Sequence, residues 1–244
     1  MATPFHPGPA VDESLTRYAR AAGVAMLLSI IFGAIGEAYV PGQIIVGGDA
    51  AATAANIINH PVLFRVGFAT YLVEGICDIT LAVLFYVLLR PVNRNLALVS
   101  AFFGIASMVL FAVAMSAYFG SSLILSDAAG MAAFTTEQRN ALALFSLRIS
   151  TMIATLFLIL YGIATMIRGY LIMRSGYFPK VFGWLFMLGG AGFFLRTATY
   201  VLAPAYSSEL MLLPIAAAGI PFMLWLLIRG VKYSPGSIPS AEVA

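Results

Sequence analysis

Apolar runs of about 20 residues recur along this chain, and short stretches rich in proline, glycine, asparagine and charge separate them. A helix of that length crosses the hydrocarbon core of a bilayer. The pattern predicts six such spans, over about residues 16–40, 62–90, 96–125, 140–174, 179–203 and 209–231. Proline and glycine set most of the boundaries. Pro41-Gly42 follows the first span, Arg90-Pro91 ends the second, and Ser175-Gly176 offers the fourth a C-terminal glycine cap. Pro179 opens the fifth span and Pro204 closes it. The sixth passes through Pro214 and Pro221, so a kink is expected there. The prediction is an all-α polytopic membrane protein with a single six-helix domain over 16–231, a tail over 1–15 and a tail over 232–244. A cleaved signal peptide is the alternative for the first run, but Asp12 and Glu13 precede Arg17 and Arg20, which argues against it.

Between the first two spans lies GQIIVGGDAAATAANIINHP. Gly47-Gly48 breaks the chain, Asp49 suits an N-cap, and Ala50 to Asn59 should form a short helix that His60-Pro61 stops. It is too short to span, so it is expected at the interface. Thr53, Asn56 and His60 form one polar stripe on it, which faces either water or a ligand in the mouth of the bundle.

Composition and charge narrow the picture. Of 244 residues 61% are hydrophobic and 9% charged, against about 25% charged in a soluble domain. The net charge of +3 fits membrane orientation, and no basic patch interleaved with aromatics points to nucleic acid. With the N-terminus inside, Arg17, Arg20, Arg90, Arg94, Arg168, Arg174, Lys180, Arg229 and Lys232 fall at cytoplasmic ends. Only Arg65 and Arg139 fall at outer ends, among Asp49, Asp127, Glu137 and Glu209. This positive-inside bias puts both termini in the cytoplasm, and the expected location is a bacterial inner membrane. With two histidines (His6 in the N-terminal tail) and one cysteine, no metal or cofactor is expected, and no intrachain disulfide can form.

The candidate chemistry lies inside the spans. Glu74 and Asp78 stand one turn apart near the middle of the second span, with Thr70 a turn before them. Glu37 lies toward the outer end of the first span, Arg65 near the outer end of the second, and Arg148 and Arg196 outward of the centres of the fourth and fifth. Ionisable groups at that depth need partners, so Glu74 and Asp78 are expected to meet Arg148 or Arg196 or to stay protonated. The arrangement reads either as an ion-pair network that fixes helix register or as a polar cavity. The candidate ligand-binding residues are therefore Glu37, Asp49, Asn56, His60, Glu74, Asp78, Arg148 and Arg196. Asp49, His60 and a serine make no credible triad, because the G-x-S-x-G elbow is absent.

The runs GDAAATAANIINHP, GICDITLAVLFYVLLRPVNRNLALV and GYLIMRSGYFPKVFGWLFMLGGAGFFL resemble an uncharacterised bacterial multi-pass membrane family, a domain of unknown function (4386). The resemblance covers most of residues 20 to 231 and implies the topology but no activity. Three functions remain. The first is binding or movement of a small solute, lipid headgroup or proton. The second is a membrane enzyme that uses Glu74 and Asp78 on a lipid-soluble substrate. The third is an accessory subunit of a membrane complex. Binding is preferred over catalysis, since an acidic pair one turn apart is a weak catalytic signal. The expected partners are the bilayer and a small-molecule or lipid ligand, and a homo-oligomer is compatible with the chain.

Overall fold

The computed structural model describes residues 9–126 and 130–231. The expectations placed on His6, Asp127, Lys232 and the outer parts of both tails fall outside these residues. The elements are α1 (Pro9–Gly33), a π-helix (Ala34–Tyr39), α2 (Val40–Ile44), α3 (Ala50–Asn59), α4 (Pro61–Leu89), α5 (Arg94–Leu125), α6 (Thr136–Arg174), α7 (Lys180–Leu202) and α8 (Leu213–Ile228), with 3₁₀ turns before α6 and α8. No strand occurs among the described residues. Six helical stretches are long and apolar enough to cross a membrane: Ser14–Ile44, Pro61–Leu89, Arg94–Leu125, Thr136–Arg174, Lys180–Leu202 and Glu209–Ile228. The chain is a multi-pass membrane protein.

Where helix ends differ from the expected ones, the causes are local. The first helix starts at Pro9, inside the expected tail, rather than near residue 16. Proline is preorganised for a first helical position, and Leu15 and Ala19 are buried, which anchors that end. The first span also runs past Pro41. The Val40 N–H donates to Ile35 O, five residues back, so the helix has slipped into π register. Pro41 brings no N–H, so it sits in the first turn of α2 without costing a bond. Pro214 likewise occupies the first turn of α8, and only Pro221 lies inside that helix. Gly48 and Gly176 take positive φ (80° and 72°), which supports their expected roles as chain break and helix cap.

The chain divides into two compact units. The first comprises the residues up to Leu27, Asp78–Ser107, and those from Leu158 onward. Its core gathers rings on Phe222: Phe85, Phe178, Phe182 and Phe186 stand with centroids 5.0–6.1 Å from it. Here α6 and α7 approach backbone to backbone. A Cβ on Gly190 would lie 2.6 Å from Gly162 O, and one on Gly183 would lie 2.7 Å from Gly169 O. The contact repeats after seven residues on each helix, as small-residue packing in a bilayer requires. The turn between them is locked by Ser175, whose hydroxyl donates to Ile172 O and accepts from the Phe178 N–H. Beside it the buried Tyr177 hydroxyl donates to Leu88 O.

The second unit comprises Leu28–Cys77 and Met108–Phe157. In it α3 folds back on the strand-like link before it. Asp49 caps α3 by accepting from the Ala52 N–H at 2.9 Å. The buried Thr53 hydroxyl accepts from the Val46 N–H and donates to Val46 O, and Asn56 Nδ2 donates to Ile44 O at 3.1 Å. Thr53 and Asn56 thus face their own chain rather than water, because the link carries backbone groups that they can satisfy, while His60 of the same stripe is exposed. Across the unit, the Ser146 hydroxyl of α6 donates to Ala117 O of α5 at 2.7 Å.

Candidate functional site

The most distinctive chemistry lies in the second unit, where the π-helix of the first span meets α4. Gly33 and Gly36 leave a shallow notch along the first span. The Glu74 carboxyl fills the notch at Gly33, so that a Cβ there would be 2.7 Å from Glu74 Oε1. At Gly36 a Cβ would be 2.6 Å from Thr70 Oγ1 and 3.3 Å from the Tyr71 ring. The Thr70 hydroxyl donates to Gly67 O at 2.7 Å, which leaves its lone pairs turned to the notch. Gly67 in turn lets Val40 and Tyr118 close on α4.

Two phenols complete the site. Tyr71 packs edge-on against Phe111 and Tyr118, with centroids at 5.7 and 5.5 Å. Tyr118 stacks flat on Phe64 at 4.5 Å and 6°. Its hydroxyl is buried and has no hydrogen-bond partner among the described residues. Glu37, Glu74 and Tyr118 all act electrostatically on the Tyr71 phenol. The Glu74 carboxyl, the Tyr71 and Tyr118 phenols and the Thr70 hydroxyl thus lie together, with the Glu37 carboxyl near enough to act on Tyr71 electrostatically. That donor set suits a proton or a small cation better than an anion. No group of three or more His, Cys, Asp or Glu that could hold a metal ion occurs among the described residues.

The sequence candidates divide accordingly. Glu37 and Glu74 share the Tyr71 neighbourhood, with Glu37 on the exposed side of the π-helix. Asp78 falls in the first unit rather than in the second with Glu74. Arg196 does not serve as the partner expected for Glu74 or Asp78. It grips Glu209 instead, through Nη2–Oε1 at 2.5 Å and bonds from Nε at 3.1 Å to both carboxylate oxygens. The reason is reach: the two residues flank the short turn between α7 and α8. Arg148 does not serve either. It is exposed on α6, where it forms no ion pair with a described residue. Asp49 and Asn56 are committed to holding α3, and His60 is exposed at its C-terminal end.

Three features escaped sequence reasoning. The π-helix is one, and the only trace of it is the glycine pair followed by Pro41. The role of Tyr71 and Tyr118 is another, since they read as two of many aromatics. The third is Arg168, which was expected at the cytoplasmic end but is 4% exposed in the first unit. Its guanidinium sits 4.6 Å over the Phe85 ring, and its Nε has no hydrogen-bond partner among the described residues.

Comparison with known proteins reaches the same coarse description. A family model described as a domain of unknown function (DUF4386) matches residues 21–230. An uncharacterized protein of Archaeoglobus fulgidus is 29% identical over 164 residues, which cover 65% of this chain and 80% of the relative. No solved structure matches the chain.

Proposed function

The chain belongs to the DUF4386 family, and we propose that it is a membrane binding protein in which Glu74 is the centre of a site for a proton or a small cationic solute. The observation that supports this is the seat of the Glu74 carboxyl over Gly33, with Thr70 and Tyr71 on the same notch at Gly36 and Glu37 acting electrostatically on Tyr71. The π register on the opposing helix strengthens the reading, because π-turns persist where function offsets their poorer packing. An acidic residue within a membrane span marks a pathway or ligand site by default. The phenols of Tyr71 and Tyr118 supply hydroxyls that can pass a proton or orient a bound ammonium group.

The test compares wild type, Glu74→Gln and Tyr118→Phe in proteoliposomes carrying a pH-sensitive dye, and in detergent with a panel of small amines. Proton leak or an amine-induced rise in Tm should be present in wild type and lost in Glu74→Gln at unchanged fold. A Glu74→Gln protein that matches wild type in both assays refutes the reading. We further place the protein in a bacterial cytoplasmic membrane with both termini inside, on the clustering of Arg90, Arg94, Arg174 and Lys180 at alternate span ends. A C-terminal reporter that is active only in the cytoplasm would check it.

A further inference from the structure

A second site of different character lies in the same unit, where α3, the start of α4 and the end of α5 meet. A groove of about 250 Å³ is walled there by Ile57, Ile58, Pro61, Phe64, Phe119 and Leu123. Arg65, Ser122 and Ser126 also line it. Pocket volumes for drug-sized ligands begin near ~300 Å³, so this groove is small for a whole ligand and suits part of a chain. It lies at the ends of two spans, Pro61–Leu89 and Arg94–Leu125, which is the level of lipid headgroups. Arg65 stands about 6 Å into α4, is exposed, and forms no ion pair with a described residue.

The two serines narrow the ligand further. The Ser122 hydroxyl donates to Phe119 O at 2.8 Å, and the Ser126 hydroxyl donates to Leu123 O at 2.7 Å. Both protons are thereby directed at the backbone, and the Ser122 lone pairs are what it offers a ligand. The groove thus combines apolar walls, a cation and a hydroxyl acceptor. We infer that it seats an anionic glycerophospholipid, with acyl methylenes against Ile57 and Phe119, the phosphate at Arg65, and a headgroup hydroxyl donating to Ser122. Phosphatidylglycerol has this chemistry. Phosphatidylcholine has the phosphate but neither net charge nor headgroup donors. This site is independent of the Glu74 site and stands whether or not that one binds anything.

The experiment is native mass spectrometry of the full chain in mild detergent, with equal amounts of phosphatidylglycerol and phosphatidylcholine of identical acyl chains. Wild type should retain phosphatidylglycerol over phosphatidylcholine by about fivefold, the scale of one cation near a membrane surface. Arg65→Gln should level the two. Ile58→Trp, on an exposed position of the groove wall, keeps the charge but fills the groove, and it should reduce retention of both lipids. Equal retention of the two lipids by wild type overturns the inference. So does unchanged preference in Arg65→Gln, or an Ile58→Trp variant that binds like wild type, which would mean surface attraction without a seat. Displacement of the lipid by excess inorganic phosphate overturns it too, by making the site one for free anions. Glu74→Gln should leave the lipid preference unchanged.

Discussion

The close approach of α6 and α7 in the first unit gives a sharp test of what holds it together. In Gly190→Ala the new Cβ would lie 2.6 Å from Gly162 O, 2.6 Å from Met166 Cγ and 2.7 Å from Met166 N. Carbon stands about 3.3–3.6 Å from a carbonyl oxygen even in a favourable C–H···O contact. The helices α6 and α7 must therefore part by about 0.7 Å, and because two of the three atoms are backbone, a rotamer change cannot relieve it. Overpacking of this kind costs ~1–3 kcal/mol. Alanine also gains up to ~1 kcal/mol of helix propensity over glycine, which masks part of that cost. Gly75→Ala and Gly219→Ala remove the ambiguity, since a Cβ at either meets nothing within 4 Å. Those two should be neutral or stabilising by up to ~1 kcal/mol. The difference between Gly190→Ala and the controls then isolates the clash. At roughly 2–4 °C per kcal/mol for a chain of this size, it amounts to a Tm lower by several degrees in detergent melts. A Gly190→Ala protein as stable as Gly219→Ala would refute the backbone contact. Rescue by Met166→Ala would also refute it, because it would show that only the methionine side chain was in the way.

Three further outcomes are expected. Burial raises the Tyr177 phenol above its ordinary value, and the neutral form donates to Leu88 O. The phenol binds its proton more tightly folded than unfolded, so its contribution is complete below pH ~10 and falls as pH rises through that value. Tyr177→Phe should lower Tm at pH 7, by about 1 kcal/mol of stability, and flatten the decline above pH ~10 in melts across that range. Thr53→Ala leaves both Val46 backbone groups without the hydroxyl that serves them, at a cost of ~1–3 kcal/mol, and limited proteolysis should cut faster near Gly47 and Gly48. Glu209→Gln should cost less than about 1 kcal/mol, because Glu209 is 75% exposed and water screens its pairing with Arg196; a large loss of Tm would contradict this.

The sequence by itself determined the spans, because the reasons for them are local. A bilayer asks only for about 20 apolar residues in a row, and proline or glycine marks where each run stops. The capping of α3 by Asp49 is equally local, an oxygen three residues from the N–H it accepts. Tertiary structure alone decided which polar groups meet. Arg196 goes to Glu209, Arg168 is buried over Phe85, and Glu74 lies in a notch whose register depends on a π-turn. The physical reason is that lipid is as apolar as leucine. On α4, exposed Leu72 and Ile76 and buried Leu81 and Phe85 read alike. A span therefore does not announce which side turns inward, and without that side the partners of its few charges cannot be assigned.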